Sequence, residues 1–296
     1  MIDFDSIASA ELHDTPYEWA LVRHAIRPAQ AAALIDTFPV DDFWRLRHDD
    51  GEKSYTYSAR PLVILGEERP ASLSPLAAPW QELVADLLSP RYRDALSRAI
   101  GGGLDGAPME VAVWRWDEDA QLGPHLDMRE KLVTQVFYLN AGWNPWWGGC
   151  LRILNSKDEA DLFSEIPPLL GSSSVLVRSD DSWHCVSPVA DTPVPRRSVI
   201  VTWFRPGSES PSWYEDGDGV VHSHARPPGG VRQTSPEASS SVAALEERLA
   251  ALDARTAELE RCRFELEDVR SRKSVRGALA AANRFSALRR RLGARS

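Results

Sequence analysis

His125 and Asp127, two residues apart in "PHLDM", and His184 in "SWHCV" are side chains of the types that hold a divalent metal. Two imidazoles and one carboxylate fill one face of a coordination sphere and leave the opposite positions open, an arrangement suited to Fe(II) chemistry with dioxygen. The H-x-D spacing alone is weak, because His48 and Asp50 in "RHDD" share it. Context separates the two pairs. His125 and Asp127 stand just ahead of "KLVTQVFYLN", which alternates like a β-strand, and His184 and then Arg197 follow them in the chain. Residues two apart on an extended segment point to the same face, so His125 and Asp127 converge there, and His184 must arrive from a facing strand.

An arginine near such a centre points to a cosubstrate that carries a carboxylate, since guanidinium recognition of carboxylates is strong and directional. The run "RRSVIVTWF" offers two candidates. Arg197, Val199, Val201 and Trp203 share one face of the strand, and Arg196, Ser198, Ile200 and Thr202 share the other, so only one arginine faces inward. On "KLVTQVFYLN", Thr134 and Tyr138 share a face and place two hydroxyls where a carboxylate can be bound.

The elements that must position these groups change character along the chain. The first hundred residues read as mostly helical: "PAQAAALIDTF" begins at Pro28, "APWQELVADLL" follows, and "SPRYRDALSRAI" opens with a Ser89 cap and Pro90 at the first helical position. Beyond them the period becomes two, with strand candidates "MEVAVWRW", "KLVTQVFYLN", "GCLRIL", "SSVLVRS" and "RRSVIVTWF". Short strands without intervening helices predict an antiparallel barrel or jelly roll with the early helices packed outside it. The glycines of "GGGLDG" fit G-x-G-x-x-G, but they follow a helix and precede a strand, the reverse of the dinucleotide-binding context, and read as a helix stop and turn.

Residues 109 to 205 resemble the 2-oxoglutarate and Fe(II)-dependent dioxygenases of the prolyl 4-hydroxylase type through "HLD", "FYLNAGW", "WWGGCLRIL", "SWHCVSPV" and "RRSVIVTWF", in that order. The resemblance implies a double-stranded β-helix, a cupin-like jelly roll. It implies His125, Asp127 and His184 as iron ligands and Tyr138 as a contact to 2-oxoglutarate. The arginine before "SVIVTWF" would anchor the far carboxylate: counting back from Trp203 favours Arg197, whereas an R-x-S spacing favours Arg196 with Ser198. The implied cofactors are Fe(II), 2-oxoglutarate as cosubstrate, and dioxygen. The implied reaction is hydroxylation of an unactivated C–H bond with release of succinate and carbon dioxide. Aspartate at position 127 fits a hydroxylase, since related halogenases carry a small residue there.

Composition sets the remaining expectations. The chain has 296 residues, 43% hydrophobic, enough for a substantial core, and no run long and apolar enough for a membrane span. Three cysteines without a CxxC suggest neither a disulfide framework nor a zinc site, and a reducing cytoplasm fits. A formal charge of −9 argues against nucleic-acid binding. The chain is expected to divide into a dioxygenase domain over residues 1–205, with its core at about 105–205, a Pro/Gly/Ser-rich linker over 206–241, and a tail over 242–296. In the tail, Leu245, Leu252, Leu259 and Leu266 repeat every seventh residue, which predicts a coiled coil and a homo-oligomer. Past Arg270 there is no acidic residue, and the basic amphipathic helix there suits an anionic membrane surface or an acidic partner.

The predicted architecture is thus α+β with a mainly β core, supporting N-terminal helices and a helical tail. The predicted function is hydroxylation of a small molecule or of a carrier- or glycan-linked group. The alternatives are a peptidyl-prolyl hydroxylase, a catalytically silent barrel that scaffolds through its coiled coil, and a zinc or manganese cupin without 2-oxoglutarate.

Overall fold

The computed structural model describes residues 1–48 and 54–224, together with the backbone of 230–233. The chain divides into two units, Met1–Thr234 and Ser235–Ser296, and the described residues all belong to the first. The expected coiled coil and basic helix over 242–296 lie outside the described residues, as does Asp50.

The elements run α1 (Phe4–Ala8), β1 (Trp19–Val22), α2 (Pro28–Asp36), β2 (Phe43–His48), β3 (Tyr55–Val63), α3 (Ala78–Leu88) and α4 (Pro90–Ala99). They continue with β4 (Met109–Trp116), β5 (Gln121–His125), β6 (Lys131–Tyr138), β7 (Leu151–Leu154), β8 (Leu162–Ile166), β9 (Ser173–Val177), β10 (His184–Val186) and β11 (Arg196–Phe204). The short strands β12 (Trp213–Glu215), β13 (Val221–Ser223) and β14 (Gly230–Gln233) follow.

The helices start where local chemistry tells them to. Pro28 opens α2, and the Ser89 side chain accepts the Tyr92 N–H at the start of α4. The glycines after α4 all take positive φ, as a stop and turn requires.

One antiparallel sheet carries the strand order β1-β9-β6-β11-β4-β3-β5-β10-β7-β8, with β2 added on β3 and β14 on β2. The sheet curls on itself and creates two cores. Val111, Val113, Val133, Phe137, Val199, Val201 and Trp203 pack outward against Trp80, Leu83, Tyr92 and Leu96 of the helices. Trp116, Val136 and Tyr138 face inward and meet Leu151, Ile153, Ile166 and Val186 from the opposite half. The fully buried Gln135 ties the helix layer to the sheet. It accepts from the Tyr92 hydroxyl at 2.8 Å and donates to Ser173 Oγ at 2.9 Å, so that no amide atom is left without a partner.

The structure thus has the expected mainly β jelly roll with helices on one face, and differs in two places. The first hundred residues are not mostly helical: β1 and β3 join the sheet through β9 and β4, far along the chain, and β2 adds to the consecutive strand β3. The described part of 206–241 is no plain linker. There β12 and β13 form a hairpin whose Trp213 is buried against Trp44, and Glu215 takes a two-pronged contact from Arg69, at 2.6 and 3.3 Å.

A turn in "WWGG" closes the barrel beside the inward end of β11. Gly148 stands at φ 64° and ψ −147°, a region almost restricted to glycine, and a Cβ there would lie 1.9 Å from the Pro188 carbonyl oxygen. Gly148→Ala should therefore lower stability by about 3 kcal/mol or more in denaturant titration, combining backbone strain with a clash against rigid backbone. Gly102→Ala has left-handed φ but open space around the new methyl, and should cost only about 1–2 kcal/mol.

Candidate active site

Antiparallel pairing of β10 with β5 sets His184 directly opposite His125, and their rings stand 4.3 Å apart. Past His125 the chain leaves the strand and turns back, with Lys131 N–H on the Met128 carbonyl, which brings Asp127 to the same place. His125, Asp127 and His184 are all buried and offer ligand atoms within 4.8 Å of one another. His184 comes from the neighbouring strand of the curled sheet, not from a facing one.

Their surroundings fix the protonation pattern. Nδ1 of His125 lies 2.9 Å from the Gly123 carbonyl and Nδ1 of His184 lies 2.9 Å from the Ser182 carbonyl. A carbonyl only accepts, so in both rings Nδ1 carries the proton and Nε2 is the basic nitrogen, the tautomer a metal needs. Asp127 accepts from Lys131 Nζ at 2.6 Å and from Thr134 Oγ1 at 3.0 Å, which orients both oxygens.

Arg196, not Arg197, faces the barrel interior. On β11, Ser198 pairs with Tyr138, Ile200 with Val136 and Thr202 with Thr134, and these share the inward face with Arg196. Arg197 belongs with Val199, Val201 and Trp203, which pack on the helices; its guanidinium is 4.6 Å from the Phe38 ring and its backbone N–H donates to Asn140 Oδ1. Of the two candidates, the one reached by counting back from Trp203, Arg197, lies with Trp203 on the helix side of the sheet, and the one reached by the R-x-S spacing, Arg196 with Ser198, lies on the inward side.

The Arg196 guanidinium lies 4.9 Å from the Trp116 ring and 5.6 Å from the Tyr138 ring, and its Nη1 donates to Ser198 Oγ at 3.2 Å. It is 1% exposed, its Nε has no partner, and it pairs with no carboxylate among the described residues. Burial pulls its pKa down to about 10. A buried cation without a counter-ion is costly, and an anion entering this interior would relieve it. Nearby, the Tyr138 hydroxyl shares a 2.7 Å hydrogen bond with Ser174, and burial pushes its pKa up to about 12. Thr134, by contrast, serves Asp127 at the metal end.

Three contributors escaped the sequence reading. Lys131 and Ser174 are polar strand residues whose partners only folding reveals. Tyr17 lies ahead of β1, with its hydroxyl buried and unpartnered. Burial, followed by the Asp127 and Cys185 charges, raises its pKa. No periodicity marks a tyrosine after a proline as a site residue.

Beside Asp127 a cavity of about 210 Å³ opens between β4, β11, the β2–β3 pair and the β12–β13 hairpin, with Lys131, Thr202, Glu110 and Trp114 in its walls. A cavity of about 470 Å³ between α3, α4 and Trp203 contains none of the triad.

Among solved structures, a prolyl-4-hydroxylase of Pseudomonas putida is 18% identical, with 68% of this chain and 96% of that one covered at a TM-score of 0.46. The HygX protein of Streptomyces hygroscopicus, solved with nickel and 2-oxoglutarate, is 12% identical, with 73% and 92% covered at a TM-score of 0.43. A search of curated proteins finds no match. The sequence profile of the 2OG-Fe(II) oxygenase superfamily matches residues 110–205. The cofactors of that superfamily are Fe(II), 2-oxoglutarate and dioxygen, and the His125, Asp127 and His184 cluster is suited to the metal. The match over residues 110–205 takes in the triad and both arginines, and what this chain shares with the 2OG-Fe(II) oxygenase superfamily is that segment.

Proposed function

We propose that the protein is an Fe(II)- and 2-oxoglutarate-dependent hydroxylase in which His125, Asp127 and His184 hold the iron and Arg196 anchors the cosubstrate. The observation that carries this reading is the Arg196 guanidinium, buried without a carboxylate in the same interior as the triad. A dianion with one end at the triad and the other at Arg196 would supply the missing charge. Iron with 2-oxoglutarate, when bound, supplies the oxidising power to hydroxylate an unactivated C–H bond. The chain's own residues do the rest. His125 and His184 present Nε2, because the Gly123 and Ser182 carbonyls hold their other nitrogens. Thr134 and Lys131 orient Asp127, and Ser198 orients the Arg196 fork. Tyr138 and Trp116 exclude water around it. An inward arginine supports this over a metal cupin that lacks 2-oxoglutarate and over a silent scaffold.

The substrate is a small molecule or a carrier- or glycan-linked group. The cavity beside Asp127 supports this, because about 210 Å³ accommodates one side-chain-sized group and falls below the several hundred Å³ usual for larger ligands. A peptidyl proline is the competing substrate, and succinate release with proline-rich peptides against small molecules separates the two.

Anaerobic addition of Fe(II) and then 2-oxoglutarate should give a weak visible charge-transfer band, absent in His184→Ala. A folded, metal-loaded protein without that band overturns the assignment.

Arg196→Met should weaken 2-oxoglutarate binding at least about tenfold in the same titration, since a charge-assisted bond contributes about 1.5–3 kcal/mol. Arg197→Met should change it less than about threefold, because that side chain lies on the helix side of the sheet. The reverse order would return the anchor to Arg197.

A further inference from the structure

The cavity beside Asp127 has a wall that metal and cosubstrate binding leave unexplained. Glu110 lies on the inward face of β4, opposite Thr202 of β11, and is the one acidic side chain that lines this cavity. It is 7% exposed. Ser210 Oγ donates to its Oε2 at 3.1 Å, and Ser212 and Trp213 stand beside it. Lys131, which lines the same cavity, favours the ionised form of Glu110 from a distance, but its ammonium is bonded to Asp127 at 2.6 Å, and no lysine or arginine is in ion-pair contact with Glu110 among the described residues. The other inward positions of β4 are Ala112, Trp114 and Trp116, so a glutamate in this row is an exception that hydrophobic packing cannot account for.

Around it the walls are aromatic. Tyr55, Tyr57, Trp114 and Trp213 line the same cavity, with Tyr57 and Trp114 stacked at 3.9 Å. A carboxylate without a direct ion-pair partner, inside a ring of aromatic side chains, is complementary to a cation, which gains from the carboxylate and from the aromatic quadrupoles together. A neutral polyol would find hydroxyl partners here but would leave the carboxylate as costly as before. The cavity also meets the proposed chemistry. Lys131 lines it and bonds Asp127, and Thr202 pairs with Thr134, which bonds the same carboxylate.

We infer that this cavity binds a protonated amine of the substrate, with Glu110 as its counter-ion and Tyr57, Trp114 and Trp213 as its walls. That the bound molecule is a substrate rests on the hydroxylase reading above; that an amine binds does not. Tyr55, Tyr57 and the β12–β13 hairpin lie outside residues 110–205, so the match to the superfamily does not supply this selectivity.

The test uses the full chain with Fe(II) and 2-oxoglutarate under anaerobic conditions, with benzylamine and benzyl alcohol as probes. Binding is read from the fluorescence of the wall tryptophans, and the visible band is read in the same samples. Benzylamine should bind at least about tenfold more tightly than benzyl alcohol, and Glu110→Gln should reduce that ratio to below about threefold while leaving the visible band unchanged. Glu110→Gln should fold. Burial raises the Glu110 pKa, so ionisation of this group in the unfolded chain lowers stability as pH rises above the ordinary carboxylate value, and the amide removes that cost. A melting curve at neutral pH that matches or exceeds the parent's checks this. Equal binding of the two probes, no saturable binding of benzylamine, or an undiminished amine preference in Glu110→Gln would each overturn the inference. An amine preference lost in Glu110→Gln in a protein that never develops the visible band would uphold the amine site and sink the hydroxylase reading.

Discussion

The pairing of β5 with β10 at His125 and His184 is the constraint on which the rest of this structure depends. Strand neighbours lie close enough for two imidazoles to share one ion, and no loop can hold them there as rigidly. The pairing needs β7 and β8 beyond β10, and β3 beyond β5, so that neither strand is an edge. It also fixes the ring tautomers, because the carbonyls that hold both Nδ1 atoms belong to residues two positions before each histidine. A one-residue slip of β10 would turn His184 to the other face and place Cys185 opposite His125.

The inward face of β11 and its neighbours then distributes charge at an energetic cost. Arg196 stands at one end and Thr202, opposite Glu110, at the other, six residues apart along a strand that rises about 3.3 Å per residue, or about 20 Å. Opposite charges at that separation attract by only about 0.8 kcal/mol at an effective dielectric of 20, far less than the several kcal/mol that burying each one costs. They cannot satisfy each other. Arg196 is left with a serine and two aromatic rings, and Glu110 with a serine hydroxyl. Asp127, held by Lys131 and Thr134, lies at the Thr202 end, since Thr134 pairs with Thr202. The interior is thus underpaired at the Arg196 end, and at the other end the one ammonium near Glu110 is bonded to Asp127.

The sequence made the local part of this legible and left the non-local part hidden. Helices α2, α3 and α4 were readable because prolines and the Ser89 cap mark their starts, and β4, β6 and β11 because valines and aromatics alternate in them. The H-x-D pair and His184 were readable as a set, because strand context set them apart from His48. Strands β1 and β3 were not, since they pair with β9 and β4 far along the chain, and the β12–β13 hairpin was not, since its strands have three residues each. Counting back from Trp203 reached the arginine on the helix side for an instructive reason. Hydrophobic alternation identifies the face that is buried in apolar packing, here Val199, Val201 and Trp203 against the helices. The face that looks into the barrel with the triad is the more polar one, Arg196, Ser198 and Thr202, and a rule that equates apolar with inward points away from it.

That inversion follows from placing polar groups inside a curled sheet. The outward face of β4, β6 and β11 can be made wholly apolar because helices cover it, and that packing supplies the stability that a polar interior cannot. The stability of the outer core is what permits an unpaired guanidinium and an unpaired carboxylate within the inner one. The segment 110–205 contributes the triad, Arg196 and Trp114, whereas the rest of the aromatic wall at the Glu110 end comes from β2, β3 and the hairpin clamped by Arg69 and Glu215. Exchange of those flanking strands would change the wall of the cavity while the register of His125 with His184 stayed as it is. The architecture therefore assigns the triad and most of the aromatic wall to different stretches of the chain.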